Sequence, residues 1–406
     1  MYFIDNSFDY WKKWLIFVSK SYHMKKPAQI DIAVLMLFFN RPETFQLVFN
    51  EVRKARPSRL FLYQDGPRDE RDLPGIMACR KIVEDIDWEC DVRRNYQEQN
   101  QGCDPSGYLS HKWAFSLADK CMVLEDDVVP SQSFFPFCKE LLDKYEHDDR
   151  VAMISGFNVD EVTPGVPDDY FFTSTFSIWG WASWKRVLDQ WDGEYQFMKD
   201  AYTVRQLRAL QKRRAYRRDM MKMFTDHSRS GKPYFETVFW ASMLLHSQLS
   251  IMPTRNLVNN VGLTAGSTHF SANLKTMPHR LRRIFTMKRY ELDFPLHHPK
   301  YMVDHVEYQD HYYKTIGWNH RWIKVCNSME ELFLNLRRGN FRQIARSFRR
   351  RCLKWMGMDT YQEIAHCHLV FQKVIFRSLK GYLLHAKRSS FASRKVIFCF
   401  LVCKYL

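Results

Sequence analysis

The run Ile32 to Phe39, IAVLMLFF, holds no polar residue and stops at Asn40-Arg41-Pro42. A strand with one wet face alternates polar and apolar residues. A run without alternation suits a strand covered on both faces, and such strands belong to parallel sheets packed between helices. Pro42 then suits the first turn of a helix, which would run to about Lys54. The same rhythm repeats downstream. Strands are expected at Leu60–Tyr63, Asp91–Arg94, Cys121–Leu124 and Val151–Ser155. Helices are expected over 73–85, 105–118 and 133–145. Alternation of this kind predicts an α/β fold with a mostly parallel sheet flanked by helices.

After Gly156 the rhythm breaks. Loops rich in Pro, Asp and aromatics precede a basic helix around Thr203–Phe224, a helix around Glu236–His246 and a late strand at Ser250–Pro253. With 406 residues, 46% hydrophobic, the chain can bury a large core. Its ten cysteines contain no CxxC pair, which gives a zinc site or a thioredoxin-like motif no support. The apolar runs Trp14–Val18 and Val396–Val402 are far too short to span a bilayer.

Ligand sites in open α/β sheets form beyond the carboxyl ends of the strands. Three such ends are polar here: Asn40-Arg41-Pro42, Gln64-Asp65-Gly66 and Glu125-Asp126-Asp127. Alternation lets Glu125 and Asp127 share one crevice, where two carboxylates repel unless a cation sits beside them. A hard divalent ion with oxygen ligands, Mn2+ or Mg2+, fits. A solvated acidic loop opening a helix is the simpler alternative.

The order strand-NRP, strand-QDG, NQGC and VLEDDVVPSQSFF resembles nucleotide-sugar-dependent glycosyltransferases of the GT-A fold. It is closest in look to the N-acetylglucosaminyltransferase I family and its bacterial surface-polysaccharide, hemolysin-like relatives. The resemblance runs from about Ile32 to His269, and SIWGWASWKR is its second specific segment. It implies a metal-dependent, inverting transfer of a sugar from a nucleotide-diphosphate donor, a UDP-sugar, to a glycan or lipid-linked glycan acceptor. It implies that Asp127 binds the metal, with His269 a further ligand. Glu125 and Asp126 would hold ribose or metal-bound water, Asp65 the base, and Arg41 the nucleotide. His111 and Lys112 are candidates for further donor contacts. Trp179, Gly180 and Trp181 would lie beside the sugar, and Glu236 in KPYFETVFW would be the general base. Among alternatives on the residues alone, Glu236 is an ordinary first-turn acid, the tryptophans a buried aromatic cluster and His269 an exposed loop residue.

Charge divides the chain. From Arg337 to Leu406 there are 16 Lys or Arg against Asp359 and Glu363, so +14 of the net +16 lies in the tail. Phe341, Ile344, Phe348 and Cys352 share one helical stripe there, which suits an anionic membrane surface or packing on the main domain. The expected organisation is an accessory helix over 1–30, a GT-A domain over 31–275, a further region over 276–336 and a basic amphipathic tail over 337–406. The chain would be cytoplasmic and peripheral at the inner membrane face. A catalytically inactive sugar-binding relative is the second reading. A nucleic-acid-binding protein is a third, disfavoured because the acidic rim would repel phosphates.

Overall fold

The computed structural model describes residues 25–211, 213–263, 274–316, 321–345 and 347. The chain divides into two compact units, one of 1–273 with 279–323, the other of 274–278 with 324–406. The first holds the sheet. The accessory helix expected over 1–30 lies outside the described residues except for 25–30, as do His269 and most of the tail.

β1 (Ile30–Phe38) is central, with Ile32 to Met36 wholly buried. It is followed by α1 (Pro42–Ala55), β2 (Pro57–Gln64), α2 (Leu73–Ile82), β3 (Asp91–Tyr96), α3 (Cys103–Leu117), β4 (Lys120–Glu125), β5 (Val128–Pro130), α4 (Phe134–Lys144) and β6 (Val151–Ser155). Helix α1 packs by Phe45, Val48, Phe49 and Val52, the one-sided spacing of an amphipathic helix, and the Phe45 ring stacks on Phe38 at 4.2 Å. It ends at Arg56, whose left-handed backbone lets its N–H reach the Val52 carbonyl.

The remainder is β7 (Tyr170–Thr173), β8 (Trp181–Trp184), α5 (Lys185–Leu188), α6 (Ala201–Leu210), α7 (Arg214–Ser230), α8 (Phe235–Leu245), β9 (Leu249–Pro253), β10 (Val258–Asn260), α9 (His279–Ile284), α10 (Val306–Ile316) and α11 (Arg321–Arg337). Eight strands form one sheet in the order β3-β2-β1-β4-β8-β6-β9-β7, and β5 pairs with β10. β1 runs parallel to both β2 and β4, and β6 parallel to β9. β8 runs antiparallel between β4 and β6, and β7 antiparallel on the edge. The fold is a mixed, mostly parallel α/β sheet of Rossmann-like build.

Two expectations are corrected. The basic helix around Thr203–Phe224 is two helices. Asp200 caps the first by accepting from the Tyr202 and Thr203 N–H groups, and the chain turns extended at Gln211, whose carbonyl accepts from Arg217 Nε at 2.9 Å. The WASW segment is a buried strand rather than a loop. Trp184 donates to the Leu142 carbonyl at 3.0 Å. Gly180 turns the chain into β8 with φ +61°, and a Cβ there would stand 2.8 Å from Val258 Cγ1, so bare backbone is required. Its carbonyl accepts from Gly156 N–H at 2.7 Å, which clasps the end of β6 to the start of β8.

Candidate active site

β2 and β3 extend the sheet on one side of β1, and β4 joins on the other. The strand order therefore reverses between β1 and β4, the place where open sheets bind ligands. Arg41 follows the end of β1, and Asp126-Asp127 follow the end of β4 in register beside it. The polar chain ends after β1 and β4 meet at this point. Arg41 straddles both acids: its Nη2 bonds Asp126 Oδ1, its Nε reaches Asp126 Oδ2 at 3.4 Å, and its Nη1 lies 2.9 Å from Asp127 Oδ2. Phe39 N–H donates to Asp126 Oδ2 at 3.2 Å.

All three acids sit largely out of water. Burial works to lower the Arg41 pKa, but the charges of Asp126 and Asp127 outweigh it and hold the guanidinium above its usual range. Burial pushes Asp126 up to about 6 against the pull of Arg41. Glu125 is raised well above a normal carboxyl, first by burial, then by the charges of Asp127, Glu236 and Asp126. One guanidinium thus faces three carboxylates, and Glu125 carries the deficit.

Glu236 belongs to this cluster. It opens α8, and burial lifts its pKa to about 7, with Asp104 adding to the rise. Its placement depends on Gly107 of α3, where a Cβ would come 2.5 Å from the Phe235 ring. The segment after β10 closes on Asp127. Asn260 Nδ2 donates to Asp127 Oδ1 at 3.2 Å, Val261 N–H to the Asp127 carbonyl at 2.8 Å, and a Cβ on Gly262 would stand 2.0 Å from Asp127 Oδ2. Asn260 and Gly262 are site residues whose roles the sequence did not specify. So is Asp104, which no strand-end rule marks.

Asp65 is buried, and its carboxylate accepts from Gly66 N–H, Gln101 N–H, Asn100 Nδ2 and Gly102 N–H, all at 2.9–3.1 Å. Those four donors fill the acceptor positions a carboxylate offers. In this arrangement Asp65 builds the 99–102 loop. His111 does not line the rim. It is 1% exposed, caged by Trp181, Trp191 and Phe235, and burial drives its pKa down to about 3. Lys112 donates to the Leu188 carbonyl at 3.0 Å, at the end of α5. Trp181 lies in the core, which overturns its placement beside a sugar. Trp179 keeps a partly exposed ring, packed edge-on to Phe157 at 4.9 Å. A cavity of about 790 Å³ contains none of these acids and is walled by Lys26, Arg53, Arg56 and Arg289.

Among the described residues no group of three or more His, Cys, Asp or Glu can hold a metal by itself. The donor set nevertheless fits a hard divalent ion that takes one or two carboxylates and its other ligands from a bound diphosphate. It is all oxygen and has a surplus of negative charge.

No family model matches the chain, and no curated protein matches it. Solved structures give loose likenesses at 10% identity. The inositol-1-phosphate CTP transferase from T. maritima aligns with TM-score 0.32, covering 64% of this chain and 97% of that one. Mouse xyloside xylosyltransferase 1, apo form, aligns with TM-score 0.29, covering 53% and 81%. The 4-diphosphocytidyl-2C-methyl-D-erythritol synthase from Anaerococcus prevotii DSM 20548 aligns with TM-score 0.26, covering 42% and 78%. Likenesses this loose carry no function, and a function for this chain has to be read from its own residues.

Proposed function

We propose that the chain is a GT-A-type glycosyltransferase that moves a sugar from a nucleotide-diphosphate donor, a UDP-sugar, to a glycan or lipid-linked glycan, with inversion. The observation that carries this reading is the cluster of Glu125, Asp126 and Asp127 under Arg41 at the switch point between β1 and β4. Asp127 would hold Mn2+ or Mg2+, which when bound supplies a Lewis acid for the diphosphate. Arg41, now spread over two acids, would turn to the phosphates. Glu125 and Asp126 would meet the ribose, and Asp65 would hold the loop that frames the base. Glu236, with its pKa near neutrality, would take the proton from the acceptor hydroxyl. The partly exposed face of Trp179 would carry the acceptor sugar.

The test is a thermal-shift series with nucleoside diphosphates, with and without Mn2+. A ligand at about a hundred times its Kd adds about 2.7 kcal/mol. Stabilisation by UDP that needs Mn2+ and disappears in Asp127→Ala is the expected result. Stabilisation that survives Asp127→Ala removes the metal assignment. No response to any nucleotide moves the inactive, glycan-binding reading ahead, with Arg41 as the permanent counter-charge of a structural acid cluster.

A further inference from the structure

Helix α11 turns its apolar side outward. At about 100° per residue, Trp322, Val325, Met329, Leu332, Phe333 and Leu336 fall within an arc about 100° wide. All six are exposed, Trp322 at 80% and Phe333 at 63%. The opposite side carries Asn327, Glu331 and Asn335, and Asn335 is buried. A helix that serves only its own core shows the reverse arrangement. An ordered apolar face of this size presented to solvent marks a surface made for something else.

Charge names the occupant. From Leu332 to Met358 the chain has no acidic residue and eight basic ones. Arg337, Arg338 and Arg342 are exposed within two turns of the stripe's end. A flat apolar strip about 21 Å long, continued by cations and headed by a tryptophan, complements a bilayer with an anionic surface and an apolar interior. A second copy of the helix would bring the same cations against these when packed in parallel. Among the described residues no helix is long and apolar enough to cross a membrane, which fits a helix that lies along the surface.

We propose that α11 is a membrane-docking element that lays its Trp322–Leu336 stripe on an anionic lipid surface. This role does not depend on glycosyl transfer.

The experiment is flotation of the full chain with vesicles of phosphatidylcholine alone or mixed with phosphatidylglycerol, at low and high salt. The wild-type chain should float with the anionic vesicles and be partly released by salt. Met329→Glu combined with Phe333→Glu should lower the partition about tenfold or more. Circular dichroism and melting should be unchanged, because both side chains are exposed. Arg337→Glu with Arg338→Glu should weaken binding to anionic vesicles and leave binding to neutral ones as it was. Asp127→Ala should float like the wild type, so a failed donor site and a failed docking helix are told apart. Equal flotation of the wild type and the Met329/Phe333 variant overturns the proposal. So does wild-type protein that binds no vesicles; a dimer dispersed by that variant would then name a second copy as the occupant.

Discussion

At the scale of single residues, the site stores its chemistry as charge kept out of water. The Glu236 pKa is raised above its unfolded value, so the folded state favours the neutral acid. Stability from this residue is full below about pH 4.5 and is lost as the pH rises toward 7. Glu236→Gln should therefore melt higher than wild type at pH 8, by about 1–3 kcal/mol, and match it near pH 4. If Glu236 is the base, the same variant should lose donor turnover by about two or more orders of magnitude while keeping UDP binding. Equal melting at pH 8 would show that the carboxyl is not confined. Arg41 tests the other sign. Arg41→Ala leaves buried carboxylates unpaired, which costs about 3–5 kcal/mol. That loss should shrink toward pH 5 as Asp126 and Glu125 take up protons, and denaturant melts at the two pH values measure it.

At the scale of elements, the contact between α3 and α8 sets the aim of Glu236. Gly107→Ala should force Phe235 aside and cost about 1–3 kcal/mol. If the chain turns over a UDP-sugar, that turnover should fall more than UDP affinity, since β1 and β4 do not move. Turnover and stability both at wild-type level would remove this contact from the account. What was legible at this scale followed the strength of the local pattern. The apolar runs of β1, β4 and β6 announced buried strands, and the polar residues after β1 and β4 marked where Arg41 meets Asp126 and Asp127. β5 and β10 are three residues each and exist only by pairing with one another. β8 was hidden because WASW gives no alternation. The break between α6 and α7 carries no Gly or Pro. Asp65 and His111 were visible as residue types but not as roles. Three of the four donors that fill Asp65 come from 100–102, more than thirty residues away, and the aromatic cage of His111 from three separate segments.

At the scale of the molecule, these titrations combine into one stability profile. Asp126 and Glu236, with values near 6 and 7, and the still more strongly raised Glu125 make the folded state bind protons before the unfolded chain does. Their contribution to stability falls as pH rises through that range. His111 works oppositely: its lowered pKa gives stability that is present above about 6.5 and lost as pH falls toward 3. The melting temperature should therefore climb as pH falls from 8 through 6.5, and below 6.5 the one histidine offsets part of the gain from the three acids. His111→Phe should steepen the climb there. A profile rising from pH 6.5 to 8 in calorimetry would contradict the burial of the acid cluster. The clasp between Gly156 and Gly180 has its own meaning for anyone who would rebuild the chain. Because β8 runs back beside β6, the segment between the two glycines leaves and re-enters the sheet at one point, and in between it touches the sheet as the edge strand β7. A segment tied at its neck can be exchanged as a cassette. Tyr170–Thr173 would have to be kept, since those residues are sewn to β9. The stretch 164–167, largely exposed at the tip, is where a new recognition loop could be grafted without asking the sheet to fold differently.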